Sequence, residues 1–319
     1  MLAILAITTP IFLLIALGYL LVRVKLVPQA AIGGMGTFVV YLALPALLFK
    51  ALSSRPVSDV YNSHYLQVFA LGSVLSLLIS VWWAKNMRGA GLERTAFLGL
   101  GSALSNNGFI GYALVTQLFG SVAVAAAALS MLVDLIVLIP LTIVLAEWAG
   151  NGSGHVRHAI QTAFLKTLRN PLVIAIGLGF LASAAQWQPG APVMRAIDML
   201  ASSAAPLSLF VIGGILIGIS INGQRMDLCQ MTVFKLVLHP CLVALCVWLL
   251  PPFDPMLQLC AVLLAAVPMA GVFPLIAQAY GQQQVCAAAL VTATIVSFFT
   301  LNVVLWLMDQ FGDLSSVLV

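Results

Sequence analysis

Ser105-Asn106-Asn107-Gly108-Phe109-Ile110-Gly111 puts an amide pair and two glycines in the middle of an apolar stretch, and Pro268-Met269-Ala270-Gly271-Val272-Phe273-Pro274 interrupts a second one. Proline removes a backbone donor and glycine weakens a helix, so each stretch predicts a helix that unwinds partway along. The two interruptions correspond when the chain is laid on itself with an offset of 161 residues. That offset also places Pro10 on Pro171, Gly18 on Gly179, Pro28 on Pro189, Pro45 on Pro206, Phe49 on Phe210, Gly120 on Gly281, and Ala126-Ala127-Ala128-Leu129 on Ala287-Ala288-Ala289-Leu290. Proline and glycine are rarer than leucine or alanine and recur here in several predicted helices, so an internal duplication is expected.

The surrounding composition says in what medium these helices sit. Of 319 residues, 62% are hydrophobic and 7% charged, with a mean hydropathy of +1.13. A soluble domain carries about 25% charged residues. A bilayer core about 30 Å thick takes about 20 apolar residues per helix, which leaves room for roughly ten crossings and little else. Apolar runs bounded by charge or by Gly and Pro place the helices near 3–22, 32–52, 65–84, 95–118, 122–147, 170–186, 196–220, 232–250, 256–280 and 285–308. The expected fold is an all-α polytopic membrane protein of ten transmembrane helices. Met1-Leu2-Ala3 runs straight into apolar sequence with no cationic stretch before it, so a first membrane helix is expected rather than a cleaved signal.

The longest polar connection, residues 148–169, contains Gly150-Asn151-Gly152-Ser153-Gly154 and divides the chain almost in half. Residues 1–150 and 170–319 are therefore read as two five-helix repeats joined by a connection at 151–169. With five crossings each, the second repeat enters the membrane from the opposite side, an inverted pair of the kind found in secondary transporters that alternate access around a midplane site. Connections after odd helices hold Arg23, Lys25, Lys85, Arg88, Arg94, Arg157, Lys166, Arg169 and Arg225, against Lys50, Arg55 and Arg195 after even ones. Cations mark the cytoplasmic side, which places the connection at 151–169 inside and both termini outside.

At membrane depth, exposed backbone survives only in a cavity or a protein interior, where half-helix N-termini turn N–H groups and positive dipole ends toward an anion. Asn106, Asn107, Gly108, Gly111, Pro268, Gly271 and Pro274 are thus candidate substrate residues. The alternative is that Gly and Pro only permit close helix crossing while the amides bond neighbouring helices. Asp134, within Met131-Leu132-Val133-Asp134-Leu135-Ile136, is an acid deep in a predicted span and the candidate coupling-ion residue, as a proton site or cation partner; the alternative is a hydrogen-bonded packing role. Pro45 and Pro206 are expected either to kink the helices flanking the site or to contact the substrate. Lys235 and His239 are expected to cap and snorkel near the cytoplasmic interface, with a place in the same cavity as the alternative.

Other signals carry less. The net charge of +4 is spread singly between apolar segments, so no nucleic-acid partner is expected and the lipid bilayer is. Cys229, Cys241, Cys246, Cys260 and Cys286 form no CxxC pair and read as small buried hydrophobes. His155 and His158 stand in a polar loop without other ligands, so no metal is expected. Gly214 and Gly218 make a GxxxG spacing that suits either internal packing or a homodimer face. P-loop, HExxH and GxSxG motifs are missing, so no cofactor, nucleotide-driven pump or common hydrolase is expected.

With these residues in place, the chain resembles the auxin efflux carrier family, which includes bacterial malonate and other small-carboxylate carriers. The resemblance spans essentially the whole length. It is carried by Pro10-Ile11-Phe12 with Gly18-Tyr19-Leu20, by Leu44-Pro45-Ala46-Leu47-Leu48-Phe49, by Asn106-Asn107-Gly108-Phe109-Ile110-Gly111, by Pro206-Leu207-Ser208-Leu209-Phe210 and by Tyr280-Gly281. It implies five-plus-five inverted helices, as in bile-acid symporters. Helices one, two, six and seven would form a scaffold, the rest a mobile unit, and helices four and nine would cross at the site. Family members commonly carry a proline just after the Gly-x of the fourth-helix motif, whereas this chain has Gly111-Tyr112-Ala113; a milder break is implied. The expected function is a secondary carrier of a small organic anion, malonate-like by resemblance, in a bacterial inner membrane, driven by a proton or sodium gradient or by the substrate's own gradient. A sodium-coupled bile-acid-carrier-like symporter and a membrane receptor or sensor without transport are the rivals. An embedded enzyme is disfavoured because titratable groups are few and scattered.

Overall fold

The computed structural model describes residues 2–54, 56, 61–120, 123–151, 161, 165, 168–217 and 225–311. The described residues are helical through most of the predicted apolar runs, apart from 104–106 and 267–272. The elements are α1 (Leu2–Arg23), α2 (Gln29–Ser53), α3 (Ser63–Arg88), α4 (Leu92–Ala103), α5 (Tyr112–Phe119), α6 (Ala123–Trp148), α7 (Pro171–Ala184), α8 (Ala191–Ile215), α9 (Arg225–Leu249), α10 (Pro255–Ala266), α11 (Phe273–Gln278) and α12 (Gln283–Phe311). Six of them, α2, α3, α6, α8, α9 and α12, are each long and apolar enough to cross a bilayer, and the chain is a multi-pass membrane protein. Two of the predicted spans are split, into α4 with α5 and α10 with α11.

The first six helices match the last six at the sequence offset of 161 residues, piece for piece. The match extends to the backbone. Gly120 and Gly281 close α5 and α11 with φ of 67° and 66°, and the non-glycine residues with positive φ among those described are Lys25 and Gln186, again one offset apart. A left-handed residue at a helix end lets the chain turn sharply, which glycine does without steric cost.

Packing sorts the helices into two groups. In the first, α1 lies against α8 and α2 against α7. A Cβ on Gly18 would overlap the Phe210 carbonyl and one on Gly213 would overlap the Ile15 carbonyl, so α1 and α8 touch backbone to backbone. Glycine at an interhelical contact is what allows helices to approach without a hydrophobic driving force between them. Gly179 plays the matching part between α7 and Leu52 of α2. In the second group, α3 packs on α4 and α9, α4 on the end of α6, and α12 on α11. Asp227 ties this group at one end: its buried carboxylate meets Arg88 at 2.5 Å and also Arg94, while Gln230 accepts from Arg88 at 2.8 Å.

One expectation needs correction here. Cys246, Cys260 and Cys286 are buried as predicted, but Cys229 and Cys241 are exposed on α9. A helix in lipid is apolar on its outer face too, so burial cannot be read from apolar context. His155, His158 and Gly218 lie outside the described residues.

Candidate functional site

The α4 helix stops at Ala103, the chain extends at Leu104 (φ −63°, ψ 122°), and a wide π turn over Asn107–Gly111 leads into α5. The α10 helix stops at Ala266, and residues 267–272 pass without helix to α11. The two breaks are joined by main chain. Asn106 N–H donates to the Pro268 carbonyl at 2.8 Å, and Gly111 N–H closes back on the Asn106 carbonyl at 2.8 Å. Peptide groups freed by unwinding are thereby paired with one another, as burial in an apolar medium demands. The first break is the shorter one. Ala113 lies inside α5, whereas its counterpart Pro274 sits in the first turn of α11.

Glycines set how closely the breaks pack. A Cβ at Gly111 would come within 2.7 Å of Leu264 on α10, and one at Gly108 within 3.1 Å of Met131 on α6 and 3.4 Å of Leu44 on α2. Gly108 therefore stands between the two packing groups. Gly271 has open space around it.

Two titratable side chains reach the crossing from neighbouring helices. Asp134 begins a π turn, Asp134–Leu138, in α6, and Lys235 lies in another, Phe234–Leu238, in α9. Each π turn is followed at two residues by a proline, Pro140 and Pro240; a third, Val39–Ala43, precedes Pro45 in the same way. A proline ring clashes with the carbonyl four residues back and offers no N–H, so the turn before it widens.

Asn107 Nδ2 donates to Asp134 Oδ2 at 2.7 Å. Lys235 Nζ donates to Ser105 Oγ at 2.9 Å, to the Ala265 carbonyl at 2.6 Å and to His239 Nδ1 at 2.9 Å. Against Lys235 as an ammonium, which has three donors and no acceptor, His239 accepts at Nδ1 and leaves Nε2 to donate to Ser73 Oγ, 2.9 Å away. On the other side Tyr65 shares a 2.6 Å hydrogen bond with Ser130, one turn before Asp134. Within this polar cluster three buried atoms have no hydrogen-bond partner: Asn106 Nδ2, Asn107 Oδ1 and Asp134 Oδ1.

The fold thus gathers Asn106, Asn107, Gly108, Gly111, Pro268 and Asp134 at one point, and Pro274 is buried in the first turn of α11. Pro45 is half-buried next to Leu44, while Pro206 is exposed on α8 and does not face the crossing. The expected interfacial place of Lys235 and His239 is wrong. Both are fully buried, because α9 begins at Arg225 rather than near 232 and carries them into the interior. The signal available in the sequence was their i,i+4 spacing just before Pro240, which puts both on one face of a widened turn.

The membrane transport protein family matches residues 4–305. A protein of Rhizobium meliloti (strain 1021) described as "Putative malonate transporter" is 31% identical over 305 residues, covering 93% of each chain. An "Uncharacterized transporter" of Methanothermobacter thermautotrophicus is 28% identical over 112 residues, 35% of this chain and 37% of its own. Buried polar groups gathered at two broken helices, in a chain matched along almost its whole length, lead to one assignment: the protein belongs to the membrane transport protein family, the auxin efflux carriers, and is a transporter rather than an enzyme.

Proposed function

We propose that the protein is a secondary carrier of a small organic anion, malonate or a close analogue, which binds where the two breaks meet. Ten crossings are arranged as two inverted repeats, residues 1–150 and 170–319, and the group formed by α3–α6 and α9–α12 moves against α1, α2, α7 and α8 to alternate access. The membrane is a bacterial inner membrane, with both termini outside. The observation that carries the reading is the unpartnered Asn106 amide nitrogen, buried beside the Asn107–Asp134 pair and the Lys235 ammonium. A buried donor without a partner is costly, and a carboxylate supplies an acceptor of the right charge. Asn106, Asn107, Gly108, Gly111, Pro268, Gly271 and Pro274 surround the anion, and Asp134 takes the coupling proton. The malonate description of the Rhizobium protein supports the choice of ligand.

Malonate binding by purified Asn106→Ala and Asn107→Ala variants tests this. A hydrogen bond to a charged group is worth about 1.5–3 kcal/mol, so each variant is expected to lose about 10- to 150-fold in affinity. A packing role would instead lower thermal stability with affinity unchanged, so both quantities are read on the same samples. If both variants bind carboxylates as the wild type does, the site lies elsewhere. A sodium-coupled cycle is the second reading, favoured by the unpartnered oxygens of Asn107 and Asp134, which suit a hard cation. Uptake that requires sodium at fixed pH selects it.

A further inference from the structure

We infer that Asn107 is a proton-driven relay: protonation of Asp134 turns the Asn107 amide over, so that the crossing offers two N–H donors and an unbalanced Lys235 charge to a carboxylate only when a proton is aboard. The inference rests on reading the crossing as the substrate site, and it adds how proton and anion are coupled.

The argument begins with the 2.7 Å contact of Asn107 Nδ2 with Asp134 Oδ2. An ionised carboxylate can only accept, so it holds the amide with nitrogen toward itself and oxygen away. Asn107 Oδ1 is then buried without a donor, just as Asn106 Nδ2 is buried without an acceptor. In that state the amide pair shows one acceptor and one donor, and an entering carboxylate meets an oxygen it cannot bond. A proton taken up on Asp134 Oδ2 makes that atom a donor. The Asn107 amide, planar and nearly symmetric in shape, rotates about its last torsion so that Oδ1 accepts from Oδ2–H and Nδ2 takes the place Oδ1 had. No backbone has to move. Asn106 Nδ2 and Asn107 Nδ2 now both point as donors, a match for the two oxygens of one carboxylate.

Charge balance gives the same sign. The titratable groups facing Asp134 are Lys235 and, behind it, His239 on α9, and Tyr65 on α3. Tyr65 is engaged with Ser130 and the Ala126 carbonyl, and His239 serves as acceptor to Lys235. Among the described residues, Lys235 is therefore the one cation that acts on Asp134. It is balanced by ionised Asp134 when the site is empty. An added carboxylate would leave excess negative charge in a dry interior, which is strongly disfavoured, unless Asp134 is neutralised first. The Asp134 carboxylate and one substrate carboxylate compete for one buried cation, so one proton, held on Asp134, enters with each substrate molecule.

Infrared difference spectra and malonate binding, both on the full chain in nanodiscs, test the relay. In the wild type, lowering the pH should bring up a protonated-carboxyl band that Asp134→Asn lacks, and a side-chain amide band should shift with the same midpoint. Isotope-labelled asparagine in the wild-type chain marks that amide band even if Asn107→Ala does not fold. Malonate affinity, measured where malonate stays fully ionised, should rise about tenfold per pH unit as pH falls, the slope for one proton bound with each ligand. Asp134→Asn has no carboxyl proton to gain or lose, so its affinity should be flat with pH. A carboxyl band that titrates with no amide shift overturns the relay and leaves the proposed site intact. A wild-type pH slope in Asp134→Asn overturns it as well, by moving the titration to Lys235, His239 or Tyr65. If malonate binds at no pH the choice of substrate fails, and the infrared result still decides the relay.

Discussion

Asp227 illustrates what a charge at the membrane edge contributes, in contrast to the charges at the crossing. It is 1% exposed and shared by Arg88 and Arg94, whose side chains are 20% and 38% exposed. Removing one partner of a fully buried ion pair costs about 3–5 kcal/mol, and the partial exposure of the arginines lets water screen what is left. Asp227→Ala is therefore expected to destabilise the protein by an amount at or below the low end of that range, with malonate affinity preserved, because the cluster shares no hydrogen bond with Asn107 or Lys235. Thermal unfolding in detergent alongside binding measures both. A loss of affinity at unchanged stability would mean that the cluster belongs to the substrate path. Lys235 shows the opposite case: two of its donors go to Ser105 and the Ala265 carbonyl beside the breaks and the third to His239 on its own helix, so its role is set by the interior and not by the interface.

Among elements, the α1–α8 crossing is the most demanding contact. Gly18 and Gly213 face carbonyls of the opposite helix so closely that an added methyl has nowhere to go. Overpacking typically costs about 1–3 kcal/mol, and here the obstacle is backbone rather than a side chain that could turn aside. Gly213→Ala should accordingly lower the melting temperature, whereas Gly33→Ala, in open space on α2, should leave it unchanged or raise it slightly. Equal behaviour of the two variants would show that α1 and α8 do not meet in this way. The breaks follow another logic: α10 ends ahead of Pro268 and Gly271, while α4 ends where Asn106 and Asn107 offer side chains and glycines follow. The shorter gap in α4 fits the lack of a proline at Ala113, since an alanine there keeps its N–H and lets α5 begin directly from the π turn.

For the whole molecule, orientation rests on the nine cations after odd helices against three after even ones. The Arg88, Arg94 and Asp227 cluster gathers residues from two of those odd connections at one end. A cysteine introduced at Ser153 should then be shielded from a membrane-impermeant thiol reagent in intact cells and react after permeabilisation. Labelling from outside would reverse the proposed topology while leaving the site as it is.

The sequence by itself determined the medium, the helical character of the apolar segments, and the places where two of them break. These are local properties: apolar length, missing N–H groups at proline and the cost of glycine act within a few residues. It also marked Asn106, Asn107 and Asp134, because polar groups inside apolar runs stand out without any knowledge of their neighbours. Only the tertiary structure decided that Asn107 meets Asp134, that Asn106 bonds the Pro268 backbone, and that Lys235 and His239 belong to the interior while Pro206 faces outward. In lipid, every helix face is apolar, so the pattern that separates inside from outside in a soluble protein is lost. Which polar side chains share a point in space then depends on where the helices cross, and contacts between residues more than a hundred positions apart set that.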